Sequence, residues 1–134
     1  MNKFLIILFL FVIAGCSSNP VIYNPSVLSE DVLSKISVKH SKTYKTWMQF
    51  IYNEKGDEIT KRTGWDNLLS EVSLEEGIYK FKVRCASGVR EAYPEVTAKI
   101  VQSKNYIIFC SVTKGKNLLG LKVDAFAEVI VKEI

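Results

Sequence analysis

The stretch Gly77 to Cys85 limits the fold more than any other part of the chain. Tyr79, Phe81, Val83 and Cys85 fall on one parity, and Lys80, Lys82 and Arg84 fall on the other. A period of two with apolar and cationic residues strictly separated is the pattern of a strand with one face in a core and one in water. On a helix the same spacing would scatter the aromatic residues around the axis. The pattern recurs in Tyr106, Ile108, Cys110 and Val112, and again in Val96, Ala98 and Ile100.

The rest of the chain is punctuated in the same way. Ile36, Val38 and His40 alternate with Ser37 and Lys39, and Tyr44, Met48, Phe50 and Tyr52 share one parity opposite Lys45, Gln49 and Asn53. Glu54-Lys55-Gly56-Asp57 reads as a turn with Gly56 at positive φ, and Glu58 to Thr63 as a polar returning arm. Further turns are expected at Glu75-Glu76-Gly77, Ala86-Ser87-Gly88, Ser103-Lys104-Asn105 and Lys114-Gly115-Lys116-Asn117. Leu118 to Ile134 supplies one or two last strands. About seven strands, with turns roughly every eight to twelve residues and no strongly amphipathic helix, predict an all-β chain folded as a small antiparallel β-sandwich. Upstream, Pro20 and Pro25 interrupt any ladder, so Ser17 to Ser29 reads as a tether. Ser29 is placed to cap a short helix over Glu30 to Lys35.

The first residues differ in kind. Lys3 precedes an unbroken apolar run from Phe4 to Ala14, and Ala14-Gly15 stand directly before Cys16. That is the layout of a secretory signal, and the run is well short of the roughly 20 residues needed to span a bilayer. Ile13-Ala14-Gly15-Cys16 resembles the lipobox of bacterial lipoproteins. The resemblance implies that residues 1–15 are a cleaved signal peptide and that Cys16 receives the lipid and becomes the new amino terminus. It also implies a lipid-anchored location in the bacterial cell envelope. Ser17 is not the aspartate that retains some lipoproteins at the inner membrane, so the analogy favours the outer membrane. Segment 16–35 would then be the lipidated tether with its short helix, and 36–134 the β-sandwich domain.

Within the domain, Ser73-Leu74-Glu75-Glu76-Gly77-Ile78-Tyr79-Lys80-Phe81-Lys82-Val83, followed later by Ser103-Lys104-Asn105-Tyr106-Ile107-Ile108, resembles the small envelope sandwiches of the PEGA and transthyretin-like kind. There a turn glycine leads into a Tyr-x-aromatic-x-Val strand. The proline-glycine pair frequent in the PEGA turn is absent here. The resemblance implies a fold and names no activity.

Composition narrows the functional classes. Without Lys3 the chain has 17 basic against 14 acidic residues, too even a balance for a nucleic-acid partner. The sequence calls for no cofactor and no metal, since Cys85 and Cys110 form no C-x-x-C and have no histidine cluster beside them. Both lie on the apolar parity of their strands and either bridge in an oxidising compartment or remain reduced as small buried hydrophobes. His40 is the single histidine, set at a strand end beside Ser41 and Lys42, and its surroundings favour an exposed, non-catalytic role. The carboxylate pairs Asp57/Glu58 and Glu75/Glu76 sit on turns, where solvation explains them. Trp47 and Trp65 either fill space in the core or stack on a sugar ring or partner side chain.

Lys80, Lys82 and Arg84 are left as the candidate binding residues. They project from one face, Lys99 joins them if its strand pairs nearby, and a solvated stripe balanced by acids such as Glu71 or Glu128 is the alternative. The expectation is a non-enzymatic interaction or accessory module, held to the membrane through Cys16 and docking an envelope protein or anionic polymer. A binder of envelope glycan or anionic lipid is the competing class. Replacing Cys16 by Ala should leave the leader uncleaved and remove partition into detergent, as checked by intact mass. An intact Met1 on mature protein from the native host would contradict the lipobox assignment.

Overall fold

The computed structural model describes residues 21–60, 68–116, 119 and 122–134, with backbone only for 113–116 and 122–129. Cys16, the leader and Trp65 lie outside the described residues. The described strands form two sheets. The first contains β1 (Val21–Tyr23), β2 (Ser34–Val38), β4 (Glu71–Leu74), β8 (Asn105–Lys116) and β9 (Lys122–Glu133), in the order β1-β4-β2-β8-β9. The second contains β3 (Lys45–Tyr52), β5 (Gly77–Ser87), β6 (Arg90–Ala92) and β7 (Glu95–Ile100). Here β5 pairs with β3 along one edge and with β6 and then β7 along the other. The chain is therefore an all-β, sandwich-like fold of two sheets.

Four sequence expectations need correcting. Nine strands are described where about seven were expected, because β1 and β6 are three residues long and too short to show an alternation. The stretch expected as tether supplies β1, which pairs with β4 through Val21 opposite Val72 and Tyr23 opposite Leu74. The sandwich is also not purely antiparallel: β1 runs parallel to β4, and β2 parallel to β8. The helix after Ser29 is one 3-10 turn, Glu30–Val32, with no hydrogen bond from the Ser29 side chain. It stops because Leu33, Ser34 and Ile36 are buried and β2 already pairs with β4 from Ser34 onward.

Apolar parity builds the core. Tyr79, Phe81, Val83 and Cys85 of β5 face Ile36, Val72, Leu74, Ile108 and Cys110 of the first sheet, and Phe81 is the largest fully buried side chain. Full burial of a side chain of that size contributes about 1.5–3 kcal/mol. The polar groups enclosed with them are matched. Ser34 Oγ donates to the Val101 carbonyl and accepts from the Lys104 N–H, while Thr46 Oγ1 accepts from the Cys110 N–H at 3.2 Å. Gly56 takes φ +84° in the turn after β3, closed by bonds between Asn53 and Asp57.

Strand directions sort the loops into two ends. The β2–β3 crossover (39–44), the β5–β6 turn at Gly88 and Val89, and the end of β8 at Lys116 lie at one end. The turns at 53–57, 75–76 and 101–104, with the 3-10 turn and Ile134, lie at the other.

Cys85 on β5 and Cys110 on β8 are joined in a disulfide, with Cα atoms 5.9 Å apart and a sequence separation of 25. The bridge ties one sheet to the other through the core. Chain entropy assigns such a loop about 3.5 kcal/mol. A Cys85→Ala/Cys110→Ala variant is expected to lose that much or somewhat more in denaturant unfolding, since the removed sulfurs also leave the core less filled. A loss below about 1 kcal/mol would show that the link adds little to the packing.

Candidate functional site

The outer face of the second sheet carries the candidate site, and a bulge in β3 creates it. The pairing of β3 with β5 runs Trp47 opposite Arg84 and Met48 opposite Val83, then resumes with Phe50 opposite Lys82, leaving Gln49 as an extra residue. An extra residue reverses the facing of everything beyond it. Thr46, Met48 and Ile51 consequently point into the core, and Trp47, Phe50 and Tyr52 stay half-buried on the outside. The expected common parity of Tyr44, Met48, Phe50 and Tyr52 is corrected here, and of the two readings open for Trp47 core filling does not hold.

Each outward aromatic ring meets one cation of β5. Lys80 Nζ lies 5.1 Å from the Tyr52 ring centre, Lys82 Nζ 6.0 Å from that of Phe50, and the Arg84 guanidinium carbon 5.4 Å from that of Trp47. Contacts of this type contribute about 0.5–1 kcal/mol each where partly exposed. They also account for how three cations tolerate one another at period two: each rests on the negative face of a π system. The sequence thus locates the stripe, and the structure supplies the aromatic row beneath it.

Acidic neighbours come from β6 and β7. Glu95 stands opposite Lys82 and forms an ion pair with Lys80 at 3.8 Å, both side chains about half exposed. At that exposure the pair contributes little. Arg84 donates from Nη2 to Glu91, which also accepts from the Tyr93 hydroxyl. The Arg84 bond, then the Tyr93 bond, hold the Glu91 carboxyl below its ordinary range, and the same Glu91 bond raises Arg84. Among the described residues Arg84 Nε is buried without a hydrogen-bond partner, and the guanidinium is held by Glu91 on one side and the Trp47 ring on the other. Glu71 does not serve the stripe: it pairs with Lys35 at 3.1 Å on the first sheet. Glu128 belongs to β9, also in the first sheet. Lys99 does join the face, opposite Ile78 on the β5–β7 ladder.

His40 is exposed, as expected. Its Nδ1 accepts the Thr46 N–H at 3.0 Å, which leaves the ring proton on Nε2, and the imidazole meets Trp47 edge-on at 5.6 Å. It braces the crossover loop against β3. Between this loop and the end of β5 lies an open cleft of about 480 Å³ walled by Trp47, Arg84, Lys42 and Lys45. Among the described residues no three His, Cys, Asp or Glu side chains are grouped to hold a metal. No described helix is long and apolar enough to cross a membrane.

With the geometry in hand, the chain was compared with known proteins: no protein-family model matches it, and neither the curated proteins nor the solved structures return a match. Function must therefore be argued from this face and from the sequence.

Sequence reasoning missed the partners Trp47, Phe50, Tyr52, Glu91 and Glu95. One signal for the aromatic row was present: the run Trp47 to Tyr52 fits no single alternation, and one skipped residue reconciles it. Glu91, with its carboxyl pKa lowered by folding, stabilises the fold above its unfolded pKa, and that contribution is lost as pH falls through the folded value. A Glu91→Gln variant should therefore lose stability near neutrality and show a flatter acid limb below about pH 4.5 in thermal unfolding. Parallel wild-type and variant curves across that range would contradict the assignment.

Proposed function

We propose that this chain is a lipid-anchored protein of the bacterial envelope whose β-sandwich is a non-enzymatic interaction module. Its outer β3–β5 face docks an acidic surface of an envelope protein. The observation that carries the proposal is the set of three aromatic–cation pairs, Trp47–Arg84, Phe50–Lys82 and Tyr52–Lys80, gathered on one side of one sheet. Tryptophan, tyrosine and arginine are the residues that most often dominate protein–protein binding energy. Half-buried rings already held in place lose little freedom on binding, and the lysines above them add charge complementarity and steering.

A protein surface fits this face better than an envelope glycan. Sugar rings stack on open aromatic faces, whereas each of these rings already has a cation over it. The anchor rests on Ile13-Ala14-Gly15-Cys16 and the apolar run before it. By the analogy drawn from Ser17, the membrane is the outer one.

Lys80 and Lys82 are the residues to change, because Arg84 is wedged between Trp47 and Glu91 and its loss would disturb packing. A Lys80→Ser/Lys82→Ser variant should still fold, because the two aromatic contacts it removes contribute only about 0.5–1 kcal/mol each. Recovery of crosslinked envelope partners should fall by about tenfold, and the wild-type interaction should weaken as salt rises. Unchanged recovery with unchanged salt dependence would reduce the face to solvated surface.

A further inference from the structure

The charge of this domain is divided between its two ends, apart from the face just described. At the end holding the β2–β3 crossover, Lys39, Lys42, Lys45 and Arg90 are all exposed, and residues 39–45 contain no acid. Glu91, the acid beside Arg90, is held by Arg84. An apolar residue projects at this end as well: Val89 at the tip of the β5–β6 turn, 101% exposed. The opposite end presents Glu30, Asp31, Glu54, Asp57, Glu75 and Glu76 against two exposed lysines, Lys55 and Lys104, the second of which is paired with Glu133. A domain polarised in this way turns its basic end toward any extended negative surface.

Chain direction selects that surface. β1 runs parallel to β4, from the basic end toward the acidic end, so Val21 is the residue of β1 nearer the basic end. Val21 is five steps along the chain from Cys16, with Ser17, Ser18, Asn19 and Pro20 between them. At 3.3–3.6 Å each these steps span at most about 18 Å. A lipid on Cys16 would then hold the basic end within reach of the headgroups.

We propose that this basic end rests on the anionic lipid surface of the membrane in which the chain is anchored. Lys39, Lys42, Lys45 and Arg90 lie among the phosphates, with Val89 entering the interface. For its geometry the inference depends on the lipid anchor proposed above; for its chemistry it depends only on the described residues. Each basic residue near an anionic bilayer strengthens attachment by roughly fivefold. Apolar tips flanked by cations are the usual chemistry of interfacial docking. The arrangement leaves the acidic end away from the membrane and the β3–β5 face on the side of the domain, open to partners.

The test is hydrogen exchange on the mature protein, purified from its native membranes and placed in two kinds of vesicle. One is neutral phosphatidylcholine, and the other contains about 30% phosphatidylglycerol to mimic an anionic leaflet. Amides of residues 39–45 and 88–90 should exchange about fivefold more slowly or better on the anionic vesicles, and the difference should vanish at about 1 M salt. Segments 53–57 and 75–77 should exchange equally on both. A Lys39→Ser/Lys42→Ser/Lys45→Ser/Arg90→Ser variant should lose the difference and keep its fold. Equal exchange of 39–45 on both vesicles, or protection of the acidic end, would overturn the proposal. So would the same protection produced by a soluble acidic polysaccharide added to neutral vesicles, which would make this end a polymer site. Intact mass of the same sample reads the anchor independently. An unlipidated Cys16 refutes the anchor, while co-sedimentation with anionic against neutral vesicles still decides the docking.

Discussion

One residue too many in β3 organises the surface of this domain. β5 is continuous from Gly77 to Ser87, so its alternation is unbroken: apolar inward, cationic outward. β3 must lie against it while carrying Thr46, Met48 and Ile51 to the core, and those three positions cannot share a parity unless the strand skips once. The skip at Gln49 turns Phe50 and Tyr52 out beside Trp47. A regular β3 would instead place two large aromatic side chains in a core already filled by Phe81 and would expose Ile51. Burial of the core residues therefore sets the position of the bulge, and the bulge sets the aromatic row that supports Lys80, Lys82 and Arg84.

The same core fixes how the two sheets meet. Phe81, Val83 and Cys85 cover Ile36, Ile108 and Cys110, and the disulfide holds the strands from which these residues project. With β5 and β8 tied together, the crossover from β2 to β3 has one place to pass, and Ser41, His40 and Thr46 close it with hydrogen bonds. Loops are thereby gathered at two ends of opposite charge, with the aromatic–cation face between them. The membrane contact and the partner contact proposed above would then occupy separate parts of one small domain.

Much of this was legible in the sequence. The alternation at Tyr79 to Cys85 and at Tyr106 to Val112 placed two long strands correctly and put Cys85 and Cys110 on core parity. Gly56 marked its turn because positive φ is cheap only there. The short strands were not legible, since Val21–Tyr23 and Arg90–Ala92 carry no period of their own and are strands only because β4 and β5 offer unpaired edges. Parallel pairing of β2 with β8 was hidden for a related reason, as sequence patterns report which face is buried and not which neighbour is hydrogen-bonded. Of the candidate site, the cations could be seen and their companions could not. Trp47, Phe50 and Tyr52 had to be read across a bulge, and Glu91 and Glu95 depend on tertiary pairing around Pro94.

The facing of β3 is the point on which the account of this surface stands or falls. Solution NMR tests it most directly, through nuclear Overhauser contacts from the ring protons of Trp47, Phe50 and Tyr52. The account predicts contacts to the side chains of Arg84, Lys82 and Lys80 respectively, with the lysine methylenes shifted upfield by the rings. Contacts from Phe50 and Tyr52 to Phe81, Val83 or Ile36 would place those rings in the core and contradict it.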